Sequence, residues 1–190
     1  MDKIWLRNYP AGVPAEINPN EIASLQALVE HSFAKFPDRP AYTLIDRTLT
    51  YGELDRLSRQ FAAFLQKVAG LKKGDRIAIM LPNILQYPVA IVAAFRAGLT
   101  IVNTNPLYTP RELEHQLKDS GARAIVILED FAHTLQDVHH ETAVETVIVT
   151  GIGDLLGFPK GALVNFVLRH VKRQVPEYSL PGAIGFNEAL

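Results

Sequence analysis

Residues 71–83 read LKKGDRIAIMLPN, and this stretch decides the fold class. A charged turn at residues 72–75 is followed by Ile77–Leu81, a run in which every side chain is apolar. An uninterrupted apolar run of this length is typical of a strand that is covered on both faces, as in a parallel sheet. The stretch therefore predicts a buried parallel strand that ends at Pro82, because proline cannot donate to a sheet ladder.

Similar apolar segments alternate with helical patterns on both sides of this stretch. Further strands are predicted at Ala41–Ile45, Thr100–Val102, Ala124–Leu128 and Val144–Thr150. Two of the intervening helices begin with capping boxes, Thr50 with Glu53 and Thr109 with Glu112. Strands that alternate with helices predict an α/β fold, with a mainly parallel sheet and helices on both faces.

The chain is expected to divide into three stretches. Residues 1–20 are rich in proline, which interrupts helices, and are expected to form an extended arm. Residues 21–150 carry the α/β subdomain. Residues 151–190 are expected to add a loop, a basic amphipathic helix over residues 162–175 and a truncated segment of the same subdomain, so we interpret the sequence as a fragment.

Composition excludes several classes of protein. The 19 Lys and Arg residues nearly balance the 20 Asp and Glu residues, and the net charge of −1 gives no global field that favours nucleic acid as a partner. The absence of cysteine excludes disulfides and thiolate chemistry, and it favours a cytoplasmic location. No apolar run approaches the roughly 20 residues that a membrane-spanning helix needs.

Gly151, Gly153 and Gly157 follow a predicted strand and approximate the glycine pattern of a dinucleotide-binding loop. The third glycine comes one position late, and Pro159 interrupts the helix whose amides would hold a pyrophosphate. A mobile loop is the favoured interpretation, and no cofactor-binding residue is assigned. A dinucleotide-binding oxidoreductase fragment is kept as an alternative function.

His133, Asp137 and His140 are spaced so that one helical face can present three metal ligands. The predicted helix is short and no second cluster supplies a fourth ligand, so a solvated polar face is favoured. No nucleophile motif and no pair of carboxylates stands out elsewhere. We therefore assign neither a metal ligand nor a catalytic residue.

The 162–175 segment is amphipathic. Its apolar side chains fall within one arc of a helical wheel: Leu163, Val164, Val167, Leu168, Val171 and Val175. Arg169, Lys172 and Arg173 lie on the other side, and no acidic residue occurs between Asp154 and Glu177. Packing of the apolar arc on the sheet is favoured. The alternative is a helix in a membrane interface, so a membrane-surface binding or scaffold module is a further alternative function.

Three stretches together resemble the acyl-adenylate-forming enzymes. They are the opening residues 5–18, the stretch at 71–83, and VNTNPLYTPREL at residues 102–113. The opening narrows the resemblance to the bacterial long-chain fatty acid–CoA ligases, and the similarity extends over the whole chain. The chain is therefore interpreted as the N-terminal part of such an enzyme, located in the cytoplasm or attached to the inner face of the membrane.

The resemblance implies a two-step reaction. The carboxylate of a long-chain fatty acid attacks the α-phosphate of Mg·ATP to give acyl-AMP and pyrophosphate, and the thiol of CoA then displaces AMP. The family's phosphate loop, nucleotide contacts and catalytic lysine match no position here. Residues 1–190 alone are therefore expected to be inactive and to bind none of ATP, CoA or Mg tightly.

The resemblance also suggests one substrate-binding segment. In the family, the loop after the strand that corresponds to Thr100–Val102 lies beside the channel for the pantetheine arm and the acyl group. This role is carried over to the loop residues Asn103, Asn105, Pro106, Leu107 and Tyr108. Asparagine amides can orient a ligand, while leucine and tyrosine offer an apolar wall. In the alternative, the side chains of Asn103 and Asn105 only form hydrogen bonds to backbone groups of the turn, and Pro106 only positions Thr109 as the helix cap.

Overall fold

The computed structural model describes residues 2–190 and contains seven strands and six α-helices within them. The strands are β1 (Pro40–Leu44), β2 (Arg47–Thr50), β3 (Arg76–Met80), β4 (Thr100–Asn103), β5 (Ala124–Leu128), β6 (Thr146–Thr150) and β7 (Ile184–Gly185). The helices are α1 (Leu25–Lys35), α2 (Tyr51–Lys67), α3 (Gln86–Ala97), α4 (Pro110–Ser120), α5 (Ala132–Val138) and α6 (Lys160–Phe166).

Five strands form one parallel sheet in the order β4-β3-β5-β6-β7. Successive side chains of a strand point to opposite faces, and both faces are covered here. Ile77 and Ile79 of β3 pack in the core with α2 and α3, whereas Ala78 and Met80 pack in the core with α4 and α5. The predicted α/β fold, with a mainly parallel sheet and helices on both faces, is therefore confirmed.

The N-terminal region contains two elements that the sequence reasoning did not predict. Ile4–Asn8 forms a 3-10 helix in the expected extended arm, and residues 9–24 hold no helix or strand. β2 pairs with β1 as an antiparallel hairpin, in which the Thr43 and Thr48 hydroxyls are 2.8 Å apart. A four-residue strand that leads directly into a capped helix gives too short a period-two pattern to be detected in the sequence.

The C-terminal region agrees only in part with the predicted 162–175 helix. α6 ends at Phe166 and is continued by a π-helical turn, Val167–Val171. Residues 172–183 contain no helix or strand. The new element expected near residue 184 is present, since β7 pairs with β6 and extends the same sheet.

Arg96 ties α3 to α2 at the outer layer of the fold. Its side chain is only 7% exposed, and its Nη1 donates to the backbone oxygen of Asp55 at 2.9 Å and to Ser58 Oγ at 3.2 Å. Nη2 also donates to the Asp55 carboxylate. Burial disfavours the ionised form of Asp55, but the hydrogen bonds from Arg96 and Arg59 outweigh it and hold the pKa of this carboxyl below its ordinary value of 3.8.

Replacing Asp55 by Asn is expected to lower the free energy of unfolding by about 1–2 kcal/mol at neutral pH, because charge-assisted hydrogen bonds to Arg96 are lost. A lowered folded-state pKa contributes stability above pH 3.8, and this contribution disappears as the pH falls through the folded-state value. The free energy of unfolding, measured with urea at pH values above and below the folded-state pKa of Asp55, should therefore depend less on pH in the variant than in the wild type. The exposed Asp38→Asn should match wild type, and identical profiles for all three proteins would contradict this assignment.

Candidate functional site

The parallel sheet brings four loops to one edge. They are residues 81–85 after β3, 104–109 after β4, 129–131 after β5 and 151–159 after β6. The chain passes from β3 to β4 on one side and then returns to β5 on the other side, so the strand order reverses between β3 and β5. Ligands of open α/β sheets bind at such an edge, outside the carboxyl ends of the strands. We call these four loops the carboxyl edge.

Asn103 is the last residue of β4 and connects three elements of the carboxyl edge. Its Oδ1 accepts a hydrogen bond from the Tyr87 hydroxyl at 3.1 Å, and its backbone oxygen accepts one from Gln116 Nε2 at 3.2 Å. The Asn103 side chain is therefore directed to α3 and does not bond to backbone groups of the turn. The alternative left open by the sequence, in which both asparagines bond to the turn, is therefore wrong for Asn103.

Asn105, in contrast, does bond to the backbone of its own turn. Its Oδ1 accepts a hydrogen bond from the Leu107 amide at 3.0 Å, and its backbone oxygen accepts one from the Tyr108 amide at 3.1 Å. An asparagine that bonds to the backbone two residues on is a common means of closing a tight turn. Asn105 therefore shapes the loop, and its carboxamide oxygen is already occupied.

The remaining loop residues present an apolar surface. Leu107 is 80% exposed, and Pro106 is half-buried. Tyr108 is half-buried against the core beneath α4 and lines an open cleft of about 720 Å³ together with Arg111 and His115. The loop thus offers one free apolar side chain and one aromatic wall.

The capping box behind this loop fixes where α4 begins. Thr109 Oγ1 accepts from the Glu112 amide at 3.4 Å, and Glu112 Oε2 accepts from the Thr109 amide at 2.9 Å. This bond from the backbone amide, together with the Thr109 hydroxyl, lowers the pKa of Glu112. The predicted cap is confirmed, and it holds the end of the loop against the sheet.

Tyr87 also lines a smaller cavity of about 230 Å³ between the hairpin and the start of α3. The cavity is lined by Tyr42, Thr43, Leu44, Asn83, Ile84, Leu85, Tyr87 and Pro88. Tyr87 therefore connects this cavity with the β4 loop through its bond to Asn103. The sequence reasoning missed Tyr87 because it treated residues 84–97 as one apolar helix, although the first turn of that helix faces the carboxyl edge.

A buried polar network lies at the end of β6. Gln86 is fully buried, and its Nε2 donates to Thr150 Oγ1 at 3.0 Å and to the Gly151 backbone oxygen at 2.8 Å. Thr150 Oγ1 donates in turn to Asp154 Oδ2 at 2.8 Å. Gln86 Oε1 has no hydrogen-bond partner among residues 2–190. The sequence signal for this site is a lone glutamine in an otherwise apolar helical pattern.

The glycine-rich loop after β6 does not fit a nucleotide phosphate. The Gly151 amide donates to Asp154 Oδ2 at 2.9 Å, and the Gly153 amide donates to Asn165 Oδ1 at 2.7 Å. Amides that already have acceptors cannot cradle a phosphate, and the Asp154 carboxylate would repel one. The network also ties the loop to α6, in contrast to the mobile loop that was expected. The dinucleotide-binding alternative therefore receives no support.

Glu129 is a buried charged residue of the carboxyl edge. It follows β5, is 1% exposed, and accepts a hydrogen bond from Arg169 Nε at 2.7 Å in addition to one from Nη2. Burial raises the pKa of Glu129, against the opposing effect of Arg169. The pair joins the π-helical turn to the sheet. Sequence reasoning assigned Arg169 to a solvent-facing basic side and did not consider Glu129.

The histidines considered as metal ligands are not gathered into a site. Across residues 2–190, no group of three or more His, Asp or Glu side chains is placed to hold a metal ion. His133 and Asp137 lie on α5, but His140 belongs to the separate 3-10 turn His139–Glu141. No helix of the described part of the chain has the length and apolar character needed to cross a membrane.

Comparisons with known proteins point to one family. The sequence model described as AMP-binding enzyme matches residues 29–179. The chain is 55% identical over 190 residues to the long-chain-fatty-acid–CoA ligase of Salmonella typhimurium, covering all of this chain and 34% of that protein. It is 38% identical over 162 residues to the ligase of the same name from Bacillus subtilis, covering 85% of this chain and 28% of that protein.

Solved structures agree with the fold. A long-chain-fatty-acid-CoA ligase from Archaeoglobus fulgidus superposes with a TM-score of 0.65 at 26% identity, over 82% of this chain and 32% of that one. A luciferase-like enzyme from Zophobas morio superposes with a TM-score of 0.69 at 20% identity, over 92% of this chain and 35% of that one. The chain spans about a third of the length of the curated relatives first described.

Gly153 gives a direct test of how the β6 loop is built. A Cβ at this position would lie 2.2 Å from the backbone oxygen of Gly161, and backbone at this site cannot move aside without displacing α6. Gly153→Ala is expected to lower the free energy of unfolding by about 1–3 kcal/mol, as overpacking commonly does. Gly185→Ala is the control, because its nearest neighbour would be 3.9 Å away. Equal stabilities of both variants in thermal unfolding would refute the close contact.

Proposed function

Because this chain belongs to the AMP-binding enzyme family, we propose that it forms the N-terminal part of an ATP-dependent long-chain fatty acid–CoA ligase. The observation that carries the proposal is identity of 55% along all 190 residues to a ligase of that name. The whole enzyme would join a fatty acid to ATP, forming acyl-AMP and releasing pyrophosphate. It would then transfer the acyl group to the CoA thiol and release AMP.

The chemistry of that reaction would be supplied by residues outside this chain. The loop after β6 uses its glycine amides internally, and no metal cluster is present in residues 2–190. We propose that ATP and Mg bind to the remaining part of the enzyme. The chain contributes the sheet and the carboxyl edge against which that part is placed.

The β4 loop is proposed to form part of the wall of the acyl and pantetheine channel. Its candidate residues remain Asn103, Asn105, Pro106, Leu107 and Tyr108, and the first two have distinct roles. Asn105 closes the turn, whereas Asn103 holds Tyr87 toward the loop. Leu107 and Tyr108 supply the apolar contact that a long-chain substrate needs.

The location proposed for the enzyme is the cytoplasm, with attachment to the inner face of the membrane. A cysteine-free sequence supports a reducing compartment. The proposed fatty acid substrate partitions into bilayers, so attachment would place the enzyme next to its substrate.

The whole protein that carries this chain is expected to catalyse fatty-acid-dependent exchange of pyrophosphate into ATP and to form a CoA thioester. Residues 1–190 alone are expected to show neither activity, because their glycine-rich loop is not free to bind a phosphate. Both proteins can be measured with radiolabelled pyrophosphate. Exchange by residues 1–190 above the blank would contradict the assignment of the chemistry to the rest of the chain, and a whole protein without exchange would contradict the proposed function.

Leu107→Asn in the whole enzyme is expected to raise the KM for the fatty acid or for CoA about tenfold, because one apolar contact with the substrate is lost. The free energy of unfolding should change little, since the Leu107 side chain is exposed. Ile17→Asn is the matched control, because Ile17 is equally apolar and exposed but lies in the N-terminal arm. Unchanged KM values in the Leu107 variant would remove this residue from the channel.

A further inference from the structure

The cavity between the hairpin and the start of α3 has no charged side chain in its lining. We call it the hairpin pocket, and its lining is Tyr42, Thr43, Leu44, Asn83, Ile84, Leu85, Tyr87 and Pro88. By contrast, the cleft beside Tyr108 contains Arg111 and Asp119. A cavity of about 440 Å³ at the end of β6 contains Asp154 and Arg169. A hydrocarbon group would remove water from those charges, which is costly, whereas the hairpin pocket can accept it without that cost.

Two adjacent residues of α3 fix the wall of the hairpin pocket that faces the β4 loop. The Gln86 side chain donates to Thr150 Oγ1 and to the Gly151 backbone oxygen at the end of β6. The Tyr87 hydroxyl donates to Asn103 Oδ1 at the end of β4. These bonds reach different strands of the sheet, so they hold the first turn of α3 in place. The Tyr87 ring is thereby kept with one side on the pocket and its hydroxyl at the β4 loop.

The other walls of the hairpin pocket belong to the core of the fold. Ile84 and Leu85 are buried in the larger core cluster, and Leu44 of the hairpin packs against the same cluster. Leu44 is also held by its pairing with Arg47 in the antiparallel ladder. The pocket is therefore formed before a ligand enters, and a ligand does not have to order it.

The size and the polar groups of the hairpin pocket limit what it can hold. Its volume of about 230 Å³ is below the roughly 300–1,000 Å³ of pockets that enclose a whole drug-sized ligand. The pocket offers no cation to a carboxylate. The Thr43 hydroxyl already lies 2.8 Å from that of Thr48, so it is not free for the amides of a pantetheine arm. The end of a hydrocarbon chain fits these limits.

We propose, on the basis of the ligase function proposed above, that the hairpin pocket receives the methyl end of the acyl chain. Tyr87 is the specificity-determining residue, because its ring limits how far a chain that comes from the β4 loop extends into the pocket. Leu44 and Pro88 contact the end of the chain. Each methylene group that leaves water there strengthens binding about fourfold, and a chain too long for the pocket loses this gain.

The test is to measure kcat/KM of the whole protein for saturated fatty acids of increasing chain length. Leu44→Trp fills the hairpin pocket and should lower kcat/KM for the longer acids relative to the shorter ones, by about fourfold for each methylene excluded. Tyr87→Ala opens the pocket to the β4 loop and should shift the preference toward longer acids. Circular dichroism should show that each variant is folded.

Two controls separate pocket size from other effects. Ile45→Trp adds the same side chain at the next hairpin position, which is exposed and does not line the pocket. Tyr87→Phe removes only the hydroxyl and keeps the ring. Both should keep the wild-type order of preference among chain lengths.

An unchanged order of preference in folded Tyr87→Ala would overturn the proposal, whether or not Leu44→Trp folds. An equal shift in Ile45→Trp or in Tyr87→Phe would overturn it as well, because neither control changes the size of the pocket. A wild type without pyrophosphate exchange would overturn the ligase function together with this proposal. An active enzyme with unchanged preferences would overturn the pocket assignment alone.

Discussion

The structure depends on burying both faces of the two central strands, β3 and β5. All five residues of β5 are buried, and their large side chains each contribute roughly 1.5–3 kcal/mol when removed from water. A strand that is apolar on both faces needs a helical layer on each side, and only crossover connections supply such layers between parallel strands. The same connections send the carboxyl end of every strand to one edge. Fold and site location therefore follow from a single constraint.

The polar groups of the carboxyl edge have different roles around β6 and around β4. Around β6, Gln86, Thr150 and Asp154 satisfy one another and the glycine backbone, so this half of the edge serves to hold α6. Around β4, Asn105 and Thr104 bond to nearby backbone and Asn103 accepts from Tyr87, but the apolar Leu107 is left open. A ligand would therefore find free apolar surface on the β4 side and little free hydrogen-bonding capacity on the β6 side.

Local patterns in the sequence predicted the structural features that depend on residues close together in the chain. The parallel strands, the capping box at Thr109 and the β4 loop could all be predicted, because apolar runs and caps act over a few positions. The pairings of Arg96 with Asp55 and of Arg169 with Glu129 could not, since each joins residues about 40 positions apart. The helical wheel also placed Leu163 and Val171 in the buried arc, although both are exposed; for Val171 the reason is that the ideal α-helical period does not extend through the π-helical turn at 167–171.

The central claim is that the β4 loop faces the substrate of the assembled enzyme. Photoaffinity labelling of the whole protein with a long-chain fatty acid that carries a diazirine tests it most directly. Trypsin releases residues 97–111 as one peptide, which contains the whole loop. The account predicts that this peptide is labelled and that unlabelled fatty acid competes. Saturable labelling confined to peptides outside residues 97–111 would contradict it.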